Sequence, residues 1–185
     1  MYRGHLISDK STLIDDLKRT IRDVPNFPKP GIVFKDVTPV LLDVKLFGQA
    51  VKAMAEPYGD ARITRVVSIE SRGFLFGAPI ALELGAGLVP IRKRGKLPAA
   101  TQRVEYALEY GTDALEMHHD AVQPGDRVLI VDDVLATGGT ANAAAQLVGG
   151  TGAAVAGFSF LIELDFLKGR QRLQGSRAEA LLHYA

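Results

Sequence analysis

Leu13, Ile14, Leu17 and Ile21 recur at helical spacing between Ser11 and Ile21, with Asp15 and Asp16 ahead of Lys18 and Arg19. This pattern predicts an amphipathic helix whose charges suit its dipole. A second stripe, Leu46, Phe47, Ala50, Val51 and Met54, predicts a helix from about Asp43 to Ala55. Between them the proline-rich run Val24 to Gly31 is neither helix nor central strand, and delivers the short extended piece Ile32-Val33-Phe34 ahead of Lys35. Beyond residue 60 the period changes. Ile63–Ile69, Leu88–Ile91, Val128–Val131 and Val155–Ile162 are short β-branched runs of the kind found in strands buried on both faces, and Leu181–Tyr184 is a shorter candidate. Helical runs separate them: one continues to Leu84, stops at Gly85 and carries a Pro79 expected to kink it, and one spans Ala141 to Val148. Val104 to Tyr110 and Ala114 to His118 alternate strictly around Gly111-Thr112-Asp113, which predicts an exposed hairpin outside the buried sheet.

Strands alternating with helices predict an α/β fold, a parallel central sheet flanked by helices. The expected organisation is a single domain over residues 1–185, with a small N-terminal hood at about 24–42 and a flexible lid hairpin at about 99–118. At 185 residues such a domain buries about 70% of its unfolded surface. A net charge of +1 gives no overall field for nucleic acid, so any basic function is local. Cysteine is absent, which excludes disulfides, thiolate zinc and a cysteine nucleophile. No signal-peptide pattern and no run of 18 apolar residues occurs, so a cytoplasmic location without membrane partners is expected.

The chemistry concentrates in Val128 to Thr140, VLIVDDVLATGGT. Asp132 and Asp133 follow the apolar run, and Ala136-Thr137-Gly138-Gly139-Thr140 leads into the helix. Glycines let the backbone approach a ligand, and a helix's first turn leaves N–H groups unpaired beside positive potential, so a phosphate is stabilised there. Carboxylates repel phosphate, so the acid pair suits sugar hydroxyls, or magnesium and its water shell. The stretch is neither GxxxxGK[ST] nor GxGxxG. Alone it is also compatible with an ordinary strand-to-helix turn. Ligands on parallel sheets bind beyond the carboxyl ends of the strands. That rule brings Glu70-Ser71-Arg72-Gly73 and the basic run Arg92-Lys93-Arg94-Gly95-Lys96 to the same edge. A lone charge run is usually a solvated face, but here cations face a phosphate loop and suit a departing pyrophosphate. His118 and His119 have no spaced metal partner and read as surface residues.

VLIVDDVLATGGT resembles the phosphoribosyl pyrophosphate (PRPP) motif of the type I phosphoribosyltransferases. PGIVFKDVTPVL, ESRGFLFGAP, RKRGKLP and LEYG, in that order, are similar to the adenine-specific members of the family. The resemblance implies that adenine and PRPP give AMP and pyrophosphate, with magnesium carried on PRPP rather than held directly. It implies the 5′-phosphate on Ala136, Thr137, Gly138, Gly139 and Thr140, and ribose on Asp132 and Asp133. Pyrophosphate would lie on Arg72, Arg92, Lys93, Lys96 and Tyr110, and adenine under Val33, Phe34 and Lys35. Glu109 would be the catalytic group at the imidazole nitrogens of the base, and the protein a homodimer. A 6-oxopurine enzyme or a PRPP-sensing regulator are the alternatives; the regulator would need a helix-turn-helix or broad basic surface that the chain lacks.

Overall fold

The computed structural model describes residues 9–107, 112–173 and 175–185. The chain divides into two compact units, residues 1–52 and residues 53–185.

In the first unit α1 (Lys10–Thr20) is the predicted amphipathic helix. Asp9 caps it by accepting from the Ser11 N–H, Lys18 and Arg19 occupy its last turn, and Leu13 and Leu17 are buried. The proline-rich segment is flanked by a small antiparallel pair, β1 (Arg22–Pro25) and β2 (Val33–Asp36), in register from Arg22↔Asp36 to Pro25↔Val33. Asn26 and Gly31 both take positive φ in the connection, where the Asn26 Oδ1 accepts from the Gly31 N–H at 3.0 Å. A short helix absent from the sequence reading, α2 (Thr38–Leu42), begins with a proline at its first turn, where the missing N–H costs nothing. α3 (Val44–Ala55) follows, with Asp43 accepting from the Lys45 and Leu46 N–H groups.

The second unit is a seven-stranded sheet. In chain order it comprises β3 (Arg65–Ile69), α4 (Gly73–Leu84), β4 (Gly87–Lys93), β5 (Thr101–Ala107), β6 (Thr112–His118), β7 (Arg127–Leu135), α5 (Gly139–Gly149), β8 (Ala154–Leu164) and β9 (Ala178–Tyr184). The spatial order is β5-β6-β4-β3-β7-β8-β9. β4, β3, β7, β8 and β9 are parallel, and β6 and β5 continue the sheet antiparallel beyond β4. After β3 the chain moves one way to β4, and later returns to β7 on the other side. The loops leaving β3 and β7 therefore diverge, which opens a crevice at their carboxyl ends.

Alternate residues of β3 serve the two faces. Val67 and Ile69 join the core beneath α5, with Val128, Ile130, Phe158, Phe160, Ala144 and Leu147. Ser68 faces α4, where a Cβ on Gly77 would come within 2.2 Å of its Oγ. Burying side chains of this size contributes about 1.5–3 kcal/mol each. α4 continues through Pro79 to a left-handed Gly85 cap.

The hairpin departs from expectation. It is an integral edge of the sheet, because β6 lies between β5 and β4, and Leu115, Glu116 and Met117 are consequently buried. His118 is half-buried, unlike the exposed His119. Among the described residues no helix is long and apolar enough to cross a membrane.

Candidate active site

Strand β7 supplies the centre of the site. It runs past the four apolar residues to Leu135, so the acid pair lies within the strand rather than after it, and Asp132 sits opposite Phe160 of β8. Adjacent strands keep pairing as long as their backbones stay parallel, which hydrophobic runs alone do not show. Asp133 is 4% exposed and Asp132 half-buried. The Asp133 N–H donates to Asp132 Oδ1 at 2.9 Å, and Arg72 Nε lies 2.8 Å from Asp133 Oδ2. Burial, then the neighbouring Asp133 charge, raises the Asp132 pKa well above the usual aspartate range. Burial raises Asp133 as well, with Arg72 opposing it. Each carboxylate of the pair offers oxygens that can accept hydrogen bonds from hydroxyl groups. Gly73 is required beside them, since a Cβ there would sit 2.8 Å from Asp132 Oδ1.

The glycine turn follows. Ala136 to Ala141, with Asp132, Val134 and Leu135, line a cavity of about 80 Å³. α5 starts at Gly139, two residues before the predicted start, so the N–H groups of its first turn belong to the loop itself. Gly138 takes φ 79° and lies against the backbone of Gly169, whose carbonyl oxygen would be 2.3 Å from a Cβ at position 138. In the opposite direction a Cβ on Gly169 would be 2.1 Å from the Ala136 carbonyl oxygen. Gly169 is thus the back wall of the loop. Nothing in the local sequence marks it, because the partner surface comes from the far side of β8.

What holds Gly169 is an ion pair on the next residue, between an exposed Arg170 and the buried Glu163. Arg170 engages both oxygens of Glu163 and donates to the Ala178 carbonyl. Glu163, Asp165 and His183 bring ligand atoms within 4.8 Å of one another. The guanidinium already engages both oxygens of Glu163, however, and His183 Nδ1 lies within hydrogen-bond distance of Asp165 Oδ1, at 3.0 Å, so these side chains satisfy one another.

The basic turn leaves β4 at the same edge. Arg92 Nε is 3.3 Å from Glu70 Oε2, the Lys93 N–H donates to that oxygen at 3.0 Å, and Lys96 Nζ is paired with Glu70 Oε1. From the other side, Glu116 of β6 accepts from the Gly95 N–H at 2.8 Å. Burial pushes Glu70 up, but Lys96, the Lys93 N–H and Arg92 outweigh it and hold the carboxyl below its ordinary pKa. Lys93 also reaches Asp113 on β6 at 3.2 Å, and this hydrogen bond raises the lysine. Asp113 in turn accepts from the Tyr106 hydroxyl at 3.3 Å, and that hydroxyl is also within reach of Thr140 in the glycine loop.

Arg72, Arg92, Lys93, Lys96, Asp132, Asp133 and Ala136 to Thr140 therefore lie on loops and strand ends at one edge of one sheet. Glu109 and Tyr110 lie outside the described residues. Val33, Phe34 and Lys35 belong to the first unit. There Val33 is 51% exposed opposite Pro25, Phe34 packs edge-on to Phe27 at 5.1 Å, and Lys35 pairs with Asp23 at 2.6 Å.

A family profile described as "Phosphoribosyl transferase domain" matches residues 41–175, which include every one of these loops. The chain belongs to the phosphoribosyltransferase family. As a phosphoribosyltransferase it is 57% identical over 174 residues to adenine phosphoribosyltransferase of Myxococcus xanthus, covering 94% of this chain and 95% of the relative. The crystal structure of adenine phosphoribosyltransferase from Rhodothermus marinus superposes with a TM-score of 0.91 at 53% identity, covering 94% and 99% of the two chains. The Saccharomyces cerevisiae enzyme, complexed with an imino-altritol bisphosphate and adenine, does so with a TM-score of 0.88 at 41% identity over 93% and 99%. Within the phosphoribosyltransferases this chain sits with the adenine enzymes, as a glycosyltransferase of the pentosyl-transferring class.

Proposed function

We infer that the crevice beyond β3, β4 and β7 binds PRPP and that the chain transfers its phosphoribosyl group to adenine, giving AMP and pyrophosphate. The observation that carries this is the acid pair and glycine loop at the switch point of a chain more than half identical to an adenine phosphoribosyltransferase. The C1′–O bond to pyrophosphate breaks and a bond from C1′ to an imidazole nitrogen of adenine forms, through a ribose with oxocarbenium character. Ala136 to Thr140 take the 5′-phosphate, and Asp132 and Asp133 orient the ribose hydroxyls. Arg72, Arg92, Lys93, Lys96 and Tyr110 receive the pyrophosphate charge as it develops. Adenine gives up its imidazole N–H proton as the new bond forms, and Glu109 at the imidazole nitrogens is the group assigned to take it. Base recognition falls to Val33, Phe34 and Lys35; the Pro25 opposite Val33 has no N–H to offer, which suits a backbone carbonyl reserved for an exocyclic amine.

Magnesium fits as a companion of PRPP. The hard oxygens of the crowded acid pair suit a hydrated divalent cation, although Asp133 is already engaged by Arg72. When bound, the ion neutralises part of the pyrophosphate charge. We also assign a homodimer. α4 carries one charged residue, Glu83, and its Leu75 and Leu82, seven residues apart, remain 43% and 84% exposed, while Leu88 of β4 is 44% exposed. A second copy covering this face should make the protein sediment at twice the mass of one chain; a concentration-independent single-chain mass would reject the pairing.

The reaction is tested by supplying PRPP, magnesium and one purine at a time. Adenine should yield AMP and pyrophosphate, with hypoxanthine and guanine near background. Product from an oxopurine alone would overturn the base assignment while keeping the phosphate site. Tight PRPP binding without any product would favour a sensor.

A further inference from the structure

We propose that Glu70 is a positioning residue for pyrophosphate, acting through Arg92 and Lys96. It rests on the phosphoribosyl-transfer reading above. Its side chain is 8% exposed and stands at the carboxyl end of β3, where it collects the Arg92 guanidinium, the Lys93 N–H and the Lys96 ammonium onto one carboxylate. Arg92 Nη1 also donates to the Lys96 carbonyl at 3.2 Å, which closes the turn on itself. Glu116 fixes the same turn from β6 through the Gly95 N–H, at a glycine with φ 78°.

A carboxylate in this place has two effects of opposite sign. Its charge repels a departing polyanion. Its contacts hold two long, rotamer-rich cations in one arrangement before the ligand arrives, which removes an ordering cost from binding. Buried as it is, and touched by three donors, Glu70 is built for the second effect. The surrounding cations exceed it in charge, so the turn keeps a positive surplus for the ligand. Loss of the carboxylate should then weaken pyrophosphate binding even though it makes the site more positive.

The test is calorimetric titration of magnesium pyrophosphate and, separately, of AMP into wild type, Glu70→Gln and Glu70→Asp, with the KM for PRPP measured alongside. AMP has no pyrophosphate and serves as the control for the fold of the acid pair and phosphate loop. Glu70→Gln should weaken pyrophosphate by about 10-fold, the scale expected when a charge-assisted hydrogen-bond network is lost, and raise the KM for PRPP in proportion. AMP affinity should change by less than about 3-fold. Glu70→Asp, which keeps the charge but shortens the reach, should recover part of the loss. The Glu70→Gln and Lys96→Met effects should combine less than additively, since one acts through the other. Equal or tighter pyrophosphate binding by Glu70→Gln overturns the proposal, and so does an equal loss of AMP and pyrophosphate, which would make Glu70 a residue of the fold alone. Wild type that forms no AMP overturns the transfer reading instead.

Discussion

Gly169→Ala should lower kcat/KM for PRPP by at least about 10²-fold, the loss that accompanies a displacement of about 1 Å in a positioned group. The added methyl would lie 2.1 Å from the Ala136 carbonyl oxygen and 3.0 Å from the Gly138 nitrogen, both backbone atoms that no rotamer change can move aside. Something must shift, and the choice is constrained. The Gly169 side is tied down by Arg170 to Glu163 and to the Ala178 carbonyl, whereas the glycine loop on the other side turns on a left-handed Gly138. The loop is therefore the part expected to yield. Overpacking of this kind also costs about 1–3 kcal/mol of stability. Gly149→Ala, where the methyl meets open space, is the matched control and should stay within about 2-fold of wild type. Steady-state kinetics with PRPP as the varied substrate decide the matter; a Gly169→Ala enzyme as active as the control would show that the loop does not depend on this wall.

Asp132→Asn should make the protein more stable and much less active. The asparagine keeps an oxygen for the Asp133 N–H, so the local hydrogen bond at 2.9 Å survives. It removes a charge that burial and Asp133 both oppose. Because its folded pKa is raised above the unfolded value of about 3.9, ionising Asp132 costs the folded state stability. Wild type should lose stability as pH climbs from the ordinary aspartate range through the raised value, and Asp132→Asn should not show that slope. At neutral pH a gain of about 1 kcal/mol would appear as a Tm higher by about 2–4 °C in a protein of this size. Activity should fall about 10²-fold, the scale of the 1.5–3 kcal/mol that a hydrogen bond to a charged group is worth, because a ribose hydroxyl loses its carboxylate partner. A melting curve across pH, together with kcat/KM at neutral pH, tests both halves. A lower Tm, or activity within about 3-fold of wild type, would remove Asp132 from the role assigned to it.

The parallel sheet was legible because its strands are short, β-branched and separated by helical runs, a pattern that only a doubly covered sheet satisfies. The glycine loop ahead of α5 was legible for a local reason: turn glycines, acid pair and helix are contiguous in sequence. What the sequence concealed depends on distant partners. The alternation of the hairpin looked like a free ribbon, since nothing local says that Arg92 and Lys93 will pair with Glu116 and Leu115. The contacts of Glu70 and Glu116 with one turn had no local sign, because β4 and β6 bring them together only in the folded sheet. Gly169 has no signature at all, because its requirement comes from Ala136 and Gly138, more than thirty residues earlier.

The seam between β4 and β6 is only two residues long, Arg92↔Glu116 and Lys93↔Leu115. Those two β4 residues are also among the cations assigned to pyrophosphate. The hairpin is therefore mounted like a cantilever whose bracket is two of the residues proposed to grip the anion, with β5 as its outer edge. A displacement of Arg92 and Lys93 is felt first at Glu116 and Leu115 of β6, and from there by its partner β5. If pyrophosphate binds at Arg92 and Lys93, its departure and the posture of the hairpin become one question of mechanical engineering.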